Sequence, residues 1–192
     1  MKYSPRDRAR LLGRGHASAR FWAAAVSWQL ERIESHLRCL HETEARSGVP
    51  SVPVYDVARP IHVYEALEID VHFLLVAVQH VLRLLKRHQN QLGDDDRLRA
   101  AGEAFEMKFE HARWLRNALE HFDEYAVGDG DHQDEVAPDA RSALPCCVQA
   151  SNDGNAASLE FRLGKLSVPV KGVADEAIRL ADVIEEVRQD FV

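Results

Sequence analysis

Cysteine is scarce in this chain: there are three among 192 residues, Cys39, Cys146 and Cys147. Two are adjacent and no C-x-x-C pair exists, so neither a disulfide framework nor a thiolate metal site is indicated. Long apolar runs are missing too. The longest, "FWAAAV" and "FLLVAV", are six residues each, far short of the ~20 that cross a bilayer. The first 20 residues lack the apolar stretch of a secretory leader, so a cytoplasmic protein with no membrane partner is expected.

Familiar catalytic and cofactor signatures are absent as well. No G-x-S-x-G, Walker A or H-E-x-x-H occurs, and none of the ten histidines has Glu three residues before it. His72, His80 and His88 are spaced by eight, which turns each about 80° from the last on a helix and prevents convergence on one ion. "GRGHAS" at 13–18 holds two glycines of a dinucleotide fingerprint, without the third and without a strand before them. No metal and no cofactor is implied.

What is present is an ordinary globular composition, 46% hydrophobic and 29% charged, with a net charge of −7. A single domain over 1–192 is expected, burying roughly 70% of its unfolded surface. The negative balance argues against a general nucleic-acid coat protein, yet it is uneven. Residues 1–20 hold six Lys/Arg against one Asp, whereas residues 123–139 hold seven Asp/Glu and no Lys/Arg. The basic arm, 1–17, suits either phosphate contacts or plain solvation.

The pattern predicts a mainly α fold, a bundle of long antiparallel helices with a small antiparallel β meander before the C-terminal helix. "SPRD" at 4–7 looks like the start of a short helix that Gly13 and Gly15 end. A long-helix core spans 18–127. Its first helix carries Trp22, Val26, Leu30, Ile33, Leu37 and Leu40 at steps of three and four. Three prolines and a Gly in "SGVPSVPVYDVARP" break it. The second helix, from Ile61 to about His88, points Leu67, Val71, Leu74, Val78, Val81 and Leu85 inward. Its polar stripe, Glu65, Glu68, His72, Gln79 and Arg83, reads as a solvated or pairing face. "GDDD" at 93–96 caps a third helix expected to reach about Ala126, with Gly128 at its end. Short alternating runs within 144–171, separated by "NDGN" and "GK", predict two or three strands, with Pro169 demoting the last to an edge. Residues 173–191 form an amphipathic last helix.

The third helix is apolar on two sides. Ala101, Phe105, Ala112, Leu115, Leu119, Phe122 and Ala126 share one arc at 100° per residue; Met107, Trp114, Ala118, His121 and Tyr125 share roughly the opposite one. The second arc predicts either a homodimer interface of Met107, Trp114, Ala118 and Tyr125, or burial under another helix of the same chain. Beside it lies "RNALEH": Arg116, Asn117 and, one turn on, His121. The same letters also suit an i,i+4 ion pair, Arg116–Glu120, beside a satisfied interface histidine.

An Arg, a polar residue that is often Asn, then His a few residues later, late in a long helix, resembles the motif of the HEPN superfamily, the higher eukaryotes and prokaryotes nucleotide-binding domains. The resemblance covers the helical core and last helix; the β meander and acidic loop match nothing in it. It implies a helical bundle that dimerises so that Arg116, Asn117 and His121 of two protomers face one cleft. It further implies metal-independent endoribonuclease activity of a toxin or defence type, with an antitoxin or nucleotidyltransferase as a possible partner. A non-catalytic interaction or nucleotide-binding module is the alternative. Metal-free RNA cleavage needs a base, an acid and a cation for the phosphorane. Histidine exchanges protons near neutral pH and arginine presents a permanent charged fork to phosphate.

Overall fold

In a computed structural model, residues 5–47, 61–92, 95–121, 134, 146–149 and 159–190 are described. Five helices among them are α1 (Pro5–Ser47), α2 (Ile61–Leu92), α3 (Asp96–Lys108), α4 (Glu110–Glu120) and α5 (Val170–Gln189). Three strands are β1 (Cys146–Gln149), β2 (Glu160–Leu163) and β3 (Leu166–Pro169). None of the described helices is long and apolar enough to cross a membrane.

Cross-helix contacts establish the directions. Trp22 meets His80 while Arg32 meets Asp70, so α1 and α2 run antiparallel. Gln89 donates to Leu98 O at 2.8 Å and Lys86 pairs with Glu106, so α3 turns back along α2. Arg97 pairs with Asp190 at 2.6 Å and Phe109 lies against Gly172, which brings α5 back along α3. The result is an up-down-up-down bundle. Val26, Ile33 and Leu37 of the expected α1 stripe and all six predicted positions of α2 are buried, with Trp22 and Leu30 half-buried against them; Val173, Ala181, Ile184 and Val187 of α5 complete the core.

Two helix boundaries differ from expectation. Gly13 and Gly15 do not end a helix, because α1 continues through both. Each interior glycine costs about 1 kcal/mol relative to Ala, a weak preference that does not forbid the helical conformation. The predicted third helix is divided at Phe109, whose φ −134° and ψ 41° lie outside the helical region. Phe109 is itself buried, 5.3 Å from the Phe105 ring centroid. The break rotates the buried arc by roughly 75°, from Leu98–Ala101–Phe105 on α3 to Ala112–Leu115–Ala118 on α4. The second segment stops at Glu120 with His121 as its cap; the expected extension to Ala126 and the Gly128 terminus lie outside the described residues.

Asp95 caps α3 as predicted, accepting from the N–H groups of Arg97 and Leu98. The sheet is an antiparallel β1-β2-β3 meander with Phe161 opposite Val168 and Leu163 opposite Leu166. These four face the core, and Pro169 closes the edge strand β3. Gly164, at φ 59°, makes the tight β2–β3 turn without the penalty a Cβ would bring. His111 anchors α4 to this sheet: its Nδ1 lies 3.1 Å from Ser167 O and 3.4 Å from Ser167 N. Whichever tautomer it adopts, one of those two bonds is available.

Candidate functional site

A groove of about 540 Å³ opens where α2 passes the α3–α4 break. Its walls are unusually cationic for a chain of net charge −7. Arg83 and Lys86 come from α2, Arg113 and Arg116 from α4, against the carboxylates of Glu106 and Glu110. Lys86 Nζ and Glu106 Oε1 close one ion pair across it at 2.7 Å. Phe105, Phe109 and Trp114 supply apolar surface, and the Arg113 guanidinium sits 5.4 Å from the Trp114 ring centroid.

Arg116 and Asn117 of the motif both line this groove. The Arg116 side chain is 18% exposed and forms an ion pair with Glu120, which is 29% exposed. That pair leaves the Arg116 Nε buried without a hydrogen-bond partner, and Gln79 Nε2 on the opposite wall is in the same condition. Two N–H donors of one groove therefore lack acceptors, each at a desolvation cost of order 1–3 kcal/mol.

The α2 polar stripe is drawn into the same field. Burial pushes the His72 imidazole below its ordinary pKa of 6.5, with Glu120 pulling it up and Arg116 pressing it down. His80 is lowered chiefly by burial, then by the Arg83 and Arg116 cations, against Glu120. Its ring stacks on Trp22 at 3.9 Å and 4°. Both histidines are thus biased towards the neutral imidazole.

His121 is placed differently. It is exposed, at φ −116° and ψ 37°, and its N–H donates to Asn117 O at 3.0 Å. It does not line the groove that holds Arg116 and Asn117. One chain therefore brings two of the three motif residues together and leaves the third at the helix end.

The residues of the predicted dimer face are placed differently from one another. Ala118 is fully buried within its own chain, so it offers nothing to a partner. Trp114 packs partly against the same core, whereas Met107 is 82% exposed on α3. Tyr125 lies outside the described residues. Of the two expectations for that arc, burial by the same chain holds at Ala118.

Gln79, Arg83, Lys86 and Arg113 were not among the predicted site residues. Gln79 and Arg83 were visible as a polar stripe at helical spacing, but nothing in α2 alone says which neighbour that stripe faces. Among the described residues no group of three or more His, Cys, Asp or Glu is arranged to hold a metal ion. No family model, curated protein or solved structure matches the chain.

Proposed function

We propose that the chain is an HEPN-like, metal-independent endoribonuclease working as a pair of protomers. The observation that carries this reading is the lining of the groove: Arg116 and Asn117 of the motif stand beside Arg83, Lys86, Arg113 and Trp114. Cations aligned with an aromatic face suit a single-stranded backbone with its bases stacked.

In the proposed reaction one imidazole takes the 2′-OH proton and O2′ attacks phosphorus. The P–O5′ bond breaks, a second imidazole protonates O5′, and the products are a 2′,3′-cyclic phosphate and a 5′-hydroxyl. Arg116 balances the charge of the phosphorane once phosphate displaces Glu120 from it. His121 is the proton-exchanging group of each protomer, and Asn117 holds its helix end through the carbonyl that accepts the His121 N–H.

A second reading is favoured by one specific observation. Because Glu120 already engages Arg116 and His121 lies off the groove, a non-catalytic nucleotide-binding or interaction module fits the single chain equally well. Any antitoxin or nucleotidyltransferase partner would belong with either reading. Incubating the protein with single-stranded RNA in EDTA separates them. Cleavage lost in both Arg116→Ala and His121→Ala is expected; retention of RNA on the protein without cleavage selects the module.

A further inference from the structure

The bundle leaves its largest exposed apolar side chains on α1 and α2. Phe21 is 64% exposed, Trp28 60%, Phe73 55% and Ile69 54%. At 100° per residue Phe21 and Trp28 fall about 20° apart on α1, and Ile69 and Phe73 about 40° apart on α2.

The two stripes share one face. On α1, moving round from the core residues Val26 and Ile33 leads past Trp22 and His36, which touch α2, and then to Phe21 and Trp28. On α2, the same movement from Leu74 and Val78 leads past Asp70, which touches α1, and then to Phe73 and Ile69. Both stripes thus lie beyond the α1–α2 seam, on the side away from the core. Charged and polar groups meet at the seam beneath them. Arg32 Nε donates to Asp70 Oδ1 at 3.0 Å, His36 Nε2 lies 3.1 Å from Asp70 Oδ2, and the Arg32 guanidinium sits 5.7 Å from the Trp28 ring centroid.

Area and charge decide what such a face suits. An aromatic side chain carries about 150–250 Å², so the three exposed aromatics leave roughly 270–450 Å² in water before Ile69 is added. A stable interface takes about 800 Å² per partner, of which the apolar share in a homodimer is about 65%. The face supplies most of that apolar share. Arg32 is the charged residue against Trp28, and Asp70 of the same chain already pairs with it. The centre of the face, around Trp28, therefore meets its own copy without like-charge repulsion, although the whole chain carries −7.

We infer that two copies of this chain dimerise across the α1–α2 face, through Phe21, Trp28, Ile69 and Phe73. This relocates the dimer interface from the α3–α4 arc read from sequence. It rests on burial and charge and does not require the chain to cleave RNA, whereas the proposed cleavage requires that the pair of protomers also bring the two His121 imidazoles together.

Sedimentation at low-micromolar concentration tests it directly. The unmodified protein is expected to run as a dimer. Trp28→Glu and Phe73→Glu, each counted twice by the symmetry, are expected to raise the dissociation constant at least about 100-fold with helical circular dichroism unchanged. Met107→Glu, on the exposed side of α3, is expected to leave the dimer intact. Oxidative footprinting of the unmodified protein across a dilution series gives an answer that does not depend on any variant folding. Trp28 and Phe73 should be protected at high concentration and exposed on dilution. A monomer at high concentration, a dimer indifferent to both glutamates, dissociation by Met107→Glu, or oxidation independent of concentration would each overturn the inference.

Discussion

Replacing Glu120 by Gln removes the anion that holds Arg116 on the groove wall, and the structure sets the size of the effect. Exposed ion pairs contribute about 0–1 kcal/mol, whereas breaking a fully buried pair costs about 3–5 kcal/mol. With side chains 18% and 29% exposed, Arg116 and Glu120 fall between these limits, nearer the first because both still touch water. A cost of about 1–2 kcal/mol is therefore expected. For a chain of this length it corresponds to a fall in melting temperature of about 2–8 °C. Arg116→Met should cost a similar amount by leaving the carboxylate alone, and the double variant should cost less than the sum of the two. Urea unfolding followed by circular dichroism yields the four free energies of the cycle. Single-variant costs that simply add, to within about 0.3–0.5 kcal/mol, would refute the ion pair as an energetic unit. The histidines report on the same pair from another helix. Imidazole titration by NMR should find His72 and His80 lowered further in Glu120→Gln and raised in Arg116→Met.

Three further outcomes are expected. Because His72 and His80 titrate below 6.5 in the folded chain, the unfolded chain binds more protons as pH falls through that value. Their contribution to stability is thus complete above about pH 7 and lost as pH falls through the folded pKa values; denaturant titrations from pH 8 to 5 should show a decline that flattens in the His72→Gln, His80→Gln double variant. Leu115→Ala empties a fully buried position beneath the groove and should cost about 2–5 kcal/mol by calorimetry. Asp95→Ala deprives α3 of its cap and should cost about 0.5–2 kcal/mol, with amide exchange accelerating first at Arg97 and Leu98.

Hydrophobic period was enough to place the inward stripes of α1, α2 and α5, because each helix buries one continuous arc. It failed at Phe109. No Gly or Pro marks that break, and a buried aromatic in "EMKFEHARW" looks like any other core position until the helix is seen to change phase there. The consequence reached the site directly, since the wheel alone left Ala118 open to either a partner copy or the same chain, and the packed bundle buries it within its own chain. Arg116, Asn117 and the Arg116–Glu120 pair were readable because they lie within one turn of one helix. Arg83 and Lys86 reach the groove from a different helix, and which faces meet is decided by tertiary packing that no single segment encodes. The exposed aromatics of α1 and α2 were hidden for a related reason: they sit inside the apolar runs "FWAAAV" and "FLLVAV", and only the packed bundle reveals which members are left outside.

Identifying the ends left on single-stranded RNA after incubation in EDTA bears most directly on the proposed chemistry. Mass spectrometry should find 2′,3′-cyclic phosphate and 5′-hydroxyl termini that disappear when His121 is replaced by Ala. Intact RNA, or 3′-hydroxyl and 5′-phosphate termini that persist in that variant, would contradict it.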